Sequence, residues 1–186
     1  MSRELAEGLR GQFITLKQEE TIMNLIAAVD KNWAIGKNNK LLANIPEDMK
    51  FFRETTTGKV VVMGRKTLES FPNQKPLPNR TNIVLTKDKS YKADGAVVVH
   101  DTEELSGVLE KYDTKDVFCI GGGSIYKLLE PMCDTAFITK IDYAYDADTF
   151  FPDLDASDDW ELAEESEEKT CFDLIYTFTR YVRKKA

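Results

Sequence analysis

The run Lys59-Val60-Val61-Val62-Met63-Gly64-Arg65-Lys66-Thr67 decides how the chain is read. Its apolar residues follow one another without the alternation of a half-solvated strand, so both faces must be covered. Gly64 ends the strand and Arg65-Lys66-Thr67 opens a short helix. Strand, glycine, helix, with both strand faces buried, is the grammar of a parallel sheet flanked by helices. The same order recurs at Val117-Phe118-Cys119-Ile120, followed by Gly121-Gly122-Gly123 and a helix from Ser124 to Glu130.

Outward from these anchors, Asn24-Leu25-Ile26-Ala27-Ala28-Val29 reads as another buried strand, with Met23 before it. Residues 30–44, rich in Asn, Gly and Lys, read as loop. Ile45-Pro46-Glu47-Asp48-Met49-Lys50-Phe51-Phe52-Arg53 has helix-start chemistry, with Asn44 or a neighbour as cap and Pro46 in the first turn. Pro72, Pro76 and Pro78 make residues 71–80 a loop. Strands are expected over 82–85, 96–99 and 136–141. Asp101-Thr102-Glu103-Glu104 resembles a capping box that starts a helix ending near Tyr112. The tail from Trp160 reads as two more strands, the last over 172–182.

The expected fold class is therefore α/β: a single domain with a central, mostly parallel twisted sheet, an antiparallel C-terminal edge strand and flanking helices. That domain spans residues 23–186. Residues 1–22 are polar and weakly patterned. They are expected to be an extension or an upstream start, with a short capping helix as the alternative.

At 186 residues the chain suits one domain of ordinary size. A net charge of −7 argues against nucleic acid or an anionic membrane surface as main partner. It leaves room for an anionic small molecule in a local basic pocket. Cys119, Cys133 and Cys171 lie far apart, which disfavours a zinc site or a disulfide framework and suits a reducing cytoplasm. No apolar run approaches the ~20 residues of a bilayer span. The N-terminal residues carry acids and lack the apolar stretch of a signal peptide. A cytoplasmic monomer is expected.

Asp48 carries the most chemical information. On a helix beginning near Pro46, positions 45, 48, 49 and 52 share one face, and Ile45, Met49 and Phe52 are apolar. Asp48 thus points inward, while Lys50, Arg53 and Glu54 take the solvent side. A buried carboxylate needs a partner or a raised pKa. Either a backbone amide or an arginine satisfies it, or a ligand bearing paired N–H donors does.

The glycines raise the question of phosphate. Gly121-Gly122-Gly123, between a buried strand and a helix start, suits either a tight turn or a pyrophosphate. It is not a Rossmann fingerprint, because Tyr126 stands where the third glycine belongs. Gly64-Arg65-Lys66-Thr67 repeats the arrangement with two cations and a hydroxyl, and Lys87 follows a third strand. All lie just past strand C-terminal ends, where open α/β sheets take ligands, and together they suggest a polyanionic cofactor. His100, the only histidine, has nothing beside it to make a nucleophilic triad. Asp142, Asp146, Asp148 and Asp153 lack the glycine and terminal Glu of a calcium loop and read as a solvated turn. No metal site is expected.

Taken in order, the segments Leu25-Ile26-Ala27-Ala28, Ile35-Gly36, Ile45-Pro46-Glu47-Asp48, Val62-Met63-Gly64-Arg65-Lys66-Thr67, Pro76-Leu77-Pro78-Asn79-Arg80, Ile120-Gly121-Gly122-Gly123-Ser124-Ile125-Tyr126 and Asp148-Thr149-Phe150-Phe151-Pro152 resemble the successive motifs of bacterial dihydrofolate reductases. The resemblance runs from about Met23 to the C-terminus. It implies NADPH-dependent reduction of 7,8-dihydrofolate, serving one-carbon metabolism, with antifolate inhibitors as further ligands. It makes Asp48 the catalytic carboxylate, holding the pterin's N3 and 2-amino group, with Thr139 supporting it through water. Ala28, Met49, Phe52, Phe71 and Leu77 would line the pterin and aminobenzoyl pocket, and Arg80 would take the glutamate carboxylate. Ile120 and Tyr126 would flank the nicotinamide. Arg65, Lys66, Thr67, Thr86 and Lys87 would surround the cofactor's phosphates and adenosine. Gly122 and Gly123 would receive the pyrophosphate, with Ala27, Ile35, Gly64, Leu85, Gly121, Ser124 and Ile125 completing the cofactor site. Residues 31–44 would form the family's mobile loop.

The chain departs from the family at Leu42-Ala43, where Pro-Trp is common, at Ser124 for a frequent Arg, and at Lys75 for an Arg. Two alternatives share the sheet: the pyrimidine reductase of riboflavin synthesis, which would not require the Pro46-Glu47-Asp48 helix or Arg80, and a non-catalytic nucleotide-binding module.

Overall fold

In the computed structural model, which describes residues 23–185, successive residues of each apolar strand feed two different cores. In chain order the elements are β1 (Met23–Val29), β2 (Ala34–Lys37), β3 (Lys40–Leu41), α1 (Pro46–Thr56), β4 (Val60–Gly64), α2 (Arg65–Ser70), β5 (Thr81–Leu85) and β6 (Ala96–Val99). There follow α3 (Thr102–Leu109), β7 (Val117–Gly121), α4 (Gly123–Leu129), β8 (Cys133–Ile141), β9 (Thr149–Phe150), β10 (Trp160–Glu165), β11 (Lys169–Cys171) and β12 (Leu174–Arg183). Leu25, Val60, Val62, Ile83 and Cys119 pack into one core. Ile26, Val61, Met63, Val84, Phe118 and Ile120 pack into the other. The period of two along each strand divides them, and this explains why the runs show no polar alternation.

The main sheet has the order β10-β12-β8-β1-β7-β4-β5-β6, with β11 attached to β12. From β8 to β6 every pair is parallel, and β12 runs antiparallel to β8. The expected α/β architecture is the observed one. The parallel strands bring the C-terminal ends of β1, β4, β5, β7 and β8 to one side of the sheet, so the loops that follow them meet there.

Local differences have physical causes. Residues 30–44 are not all loop: β2 and β3 join β9 in a separate three-stranded sheet. Asn38 and Asn39, with φ of 51° and 59°, make the tight turn between β2 and β3. The Asp30 carboxylate, buried at 2% exposure, anchors this region. It accepts the backbone N–H groups of Asn32, Ala34 and Tyr145 at 2.8, 2.9 and 2.8 Å. The tail holds three strands rather than two, because Phe172, at φ 52°, turns the chain between β11 and β12. Asn44 does not cap α1; Ile45 stands at the cap position and makes no side-chain cap hydrogen bond. Asp101 caps α3 by accepting the Glu104 N–H at 2.8 Å, but the return bond departs from a capping box: Glu104 accepts the N–H of His100, one residue before the cap, at 2.8 Å. α3 nevertheless ends at Leu109, short of Tyr112. The expectations for residues 1–22 lie outside the described residues.

Candidate active site

The first turn of α1 sets the geometry of the cleft. Ile45 is buried at 2% exposure, Phe51 packs 5.1 Å from Phe178, and Thr56 closes the far end. Asp48 and Phe52 are half-buried on the same side. Met49 is not: at 50% exposure it lies on the margin of the apolar stripe, because the buried positions follow 45, 48, 52 and 56.

Asp48 Oδ1 accepts a hydrogen bond from Thr139 Oγ1 at 2.6 Å. The contact is direct, correcting the water-mediated support that the resemblance implied. Among the described residues no cation pairs with Asp48 and no second donor reaches it. Burial pushes its carboxyl above the usual range, and the Thr139 hydrogen bond opposes that rise only in part. An acid so placed is ready for a ligand that donates to it.

Beside the acid stands an apolar wall. Phe52, Phe71 and Leu77, all half-buried, pack on the core that contains Ile120. Ile120 has its place because the register of β4 against β7 slips between Val62 and Met63, pairing them with Cys119 and Gly121 and leaving Ile120 between. Ala28 belongs to a neighbouring cluster with Ala43, Ile45 and Tyr176. At the mouth, Arg80 donates to Thr56 Oγ1 at 3.1 Å, to the Pro78 carbonyl at 2.8 Å and to the Arg53 carbonyl at 3.4 Å. Among the described residues no carboxylate pairs with it. Burial and the nearby Arg53 charge push its pKa down, so an anion there is favoured.

Sequence reasoning missed Asn82. Buried at 3% exposure, it accepts the Leu77 N–H at 3.0 Å and donates to the Leu77 carbonyl at 2.9 Å and the Arg80 carbonyl at 3.2 Å. A lone amide side chain in the apolar run Thr81-Asn82-Ile83-Val84 was the available signal.

The expected cofactor residues gather around the starts of α2 and α4. Gly121 adopts φ 113° and a Cβ there would fall 2.9 Å from the Tyr126 ring, so both conformation and packing demand glycine. A Cβ on Gly122 would meet nothing closer than Thr67 Oγ1 at 3.5 Å, so its bareness serves to leave space between the two helix starts. Residues of this kind fit a group that approaches backbone closely, as a pyrophosphate does. Tyr126 is buried at 4% exposure and donates to the Ile26 carbonyl at 2.7 Å. Its ring packs against Gly121. Ala27, Ile35 and Ile125 pack half-buried against the same core, which also holds Leu85. Arg65 is engaged by Asp88 at 3.3 Å and Glu69 at 3.6 Å, whereas Lys66 and Lys87 are exposed and without an acidic partner among the described residues. Thr86 accepts the Asp88 N–H at 3.2 Å through its hydroxyl. Ser124 and Gly123 border an open groove of about 430 Å³ with Lys127 and Phe150. Asn39 donates to the Lys66 carbonyl at 3.1 Å and Asp148 accepts the Asn38 N–H at 2.9 Å, so the β2–β3 hairpin bridges toward α2.

The acidic turn is occupied by its own neighbours. Asp142 pairs with Lys31, Asp146 with Lys37, and Asp153 accepts the Ala156 N–H. Among the described residues no cluster could hold a metal ion, and no helix is long and apolar enough to cross a membrane. His100 Nδ1 lies 2.9 Å from the Thr86 carbonyl.

The family model for dihydrofolate reductase matches residues 22–183. The dihydrofolate reductase of Neisseria gonorrhoeae is 37% identical over 163 residues, spanning 87% of this chain and 98% of that one. The Staphylococcus aureus enzyme is 36% identical over 167 residues, spanning 88% and 99%. A solved structure of dihydrofolate reductase from Enterococcus faecalis, complexed with NADP(H) and RAB-propyl, superposes with a TM-score of 0.78 at 35% identity, covering 90% of this chain and 98% of that one. On this sheet and cleft, these likenesses define an α/β oxidoreductase. Within that class, the chain belongs to the dihydrofolate reductase family.

Proposed function

We propose that the protein reduces 7,8-dihydrofolate to 5,6,7,8-tetrahydrofolate with NADPH, and that Asp48 is the group on which the reduction depends. One observation carries the reading: a half-buried carboxylate, unpaired by any cation among the described residues, held by Thr139 beside an apolar wall. The pterin's N3 and 2-amino N–H groups would donate to it as a planar pair, at about 1.5–3 kcal/mol for each charge-assisted bond. Those bonds would favour the ionised acid that burial disfavours.

Phe52, Phe71, Leu77, Ala28 and Met49 would enclose the flat ring and its aminobenzoyl extension. Arg80, already oriented by Thr56 and Pro78, would take the glutamate carboxylate. Lys66, Lys87, Arg65, Thr67 and Thr86 would surround the phosphates and adenosine, and the cations would select NADPH over NADH. Gly122 and Gly123 would admit the pyrophosphate. When bound, NADPH supplies the hydride that passes from nicotinamide C4 to pterin C6. The chain aligns the two rings, excludes water from between them through Ile120 and its neighbours, and raises the basicity of N5 through the Asp48 charge. The N5 proton comes from water.

Antifolates that imitate the paired N–H donors would use the same acid, with Ala43 in place of an indole beside them. The reading also takes the protein to be a cytoplasmic monomer, a setting compatible with its free Cys119, Cys133 and Cys171. The test is the loss of NADPH absorbance on adding dihydrofolate, run beside the aminopyrimidine substrate of the riboflavin pathway. Turnover with the second and not the first would reject the reading.

A further inference from the structure

We propose that Tyr176, Glu47 and Lys169 form a clamp that positions Asp48 at the cleft. The inference rests on the assignment of Asp48 above. It starts from a gap: α1 has no side-chain cap, so its first turn must be held by something else.

The two acids of that turn are each received by a hydroxyl from the sheet. Tyr176 on β12 donates to Glu47 Oε2 at 2.5 Å, and Thr139 on β8 donates to Asp48 Oδ1 at 2.6 Å. In the antiparallel β8–β12 pair, Tyr176 stands opposite Ile141 and Phe178 opposite Thr139. Both hydroxyls therefore lie on one face of the sheet, one pleat repeat apart. Lys169, paired in register with Tyr176 on β11, reaches Glu47 Oε1 at 3.2 Å. The ring of Tyr176 packs edge-on to Phe178 at 5.7 Å, and Phe178 meets Phe51 of α1 at 5.1 Å.

The Lys169–Glu47 pair alone would be worth little, since both side chains are substantially exposed. The weight falls on Tyr176. It is 2% exposed, so its hydroxyl needs an acceptor, and Glu47 is the one it has. Burial first, and the Glu47 hydrogen bond next, push its phenol up to about 12. Lys169 and Lys50 are the cations facing Glu47, which is held ionised below the usual range chiefly by the Tyr176 bond. Around Asp48 stand Thr139 and, further off, Tyr126 and Tyr176, both of which feel its charge. Releasing Glu47 lets the first turn move, and the Asp48–Thr139 contact moves with it.

The test follows single-turnover hydride transfer against pH in Tyr176→Phe, Glu47→Ala and Glu47→Gln, with NADPH affinity and Tm measured alongside and Asp48→Asn as reference. Tyr176→Phe and Glu47→Ala should slow transfer about tenfold at neutral pH, the scale of one lost hydrogen bond to a charged group. They should also move the pH midpoint up by about half a unit or more as the Thr139 bond loosens, with NADPH affinity unmoved. Glu47→Gln, still an acceptor for Tyr176, should keep the wild-type midpoint. A lowered Tm with an unshifted midpoint in Tyr176→Phe would reduce the clamp to a structural tie and overturn it. A slow Asp48→Asn beside unshifted clamp variants overturns the clamp alone. An Asp48→Asn as fast as wild type overturns the assignment of Asp48, and the clamp with it.

Discussion

Thr139 and Asp48, 91 residues apart in the chain, are joined by a 2.6 Å hydrogen bond between the C-terminal part of β8 and the first turn of α1. The hydroxyl lowers the carboxyl's pKa while burial, the larger effect, raises it. Thr139→Val keeps the shape and removes the donor. Its pH profile for hydride transfer should shift upward, with NADPH binding unchanged. A profile superimposable on wild type would mean the hydroxyl has no hold on the acid.

The same acid is a burden to the fold. Its folded pKa lies above the unfolded one, so the folded chain binds that proton more tightly. The resulting stability is complete at acid pH, below the unfolded value, and is lost as pH rises through the folded value. Asp48→Asn should therefore melt higher than wild type at neutral pH, by about 2–4 °C for each kcal/mol relieved. The difference should shrink on acidification, and a pH-independent difference would contradict the assignment.

Arg80→Ala tests the mouth of the cleft. Its guanidinium has carbonyl and hydroxyl partners but no carboxylate among the described residues. The variant should raise KM for dihydrofolate by about tenfold or more, the scale of a charge-assisted bond. A substrate truncated before the glutamate should lose little. Equal losses for both would place the glutamate elsewhere.

Gly121→Ala tests the glycine turn. At φ 113°, with Tyr126 2.9 Å from the new Cβ, the alanine meets strain and overlap together. A stability loss of about 2 kcal/mol or more is expected by denaturant titration, with weakened NADPH binding. Loss of cofactor affinity at unchanged stability would point to a local clash with the ligand instead.

Much of the fold could be read from residue order. The unbroken Val60-Val61-Val62-Met63 run announced a doubly covered strand because both of its faces are indeed buried. Asp48 was legible because a charge among Ile45 and Phe52 is costly without a partner. What escaped depended on contacts distant in sequence. Nothing near Tyr176 indicates that its hydroxyl meets Glu47, 129 residues away, nor does the tail announce the Phe172 turn. Met49 is more exposed than a strict helical stripe implies, because the sheet covers less of α1 at the edge of the cleft.

The most direct measurement is single-turnover NADPH oxidation by dihydrofolate in the Asp48→Asn enzyme at neutral pH, with NADPH affinity determined in parallel. The expected result is a rate slower by about two orders of magnitude or more with cofactor affinity nearly unchanged. A rate equal to wild type would show that the reduction does not depend on this carboxylate.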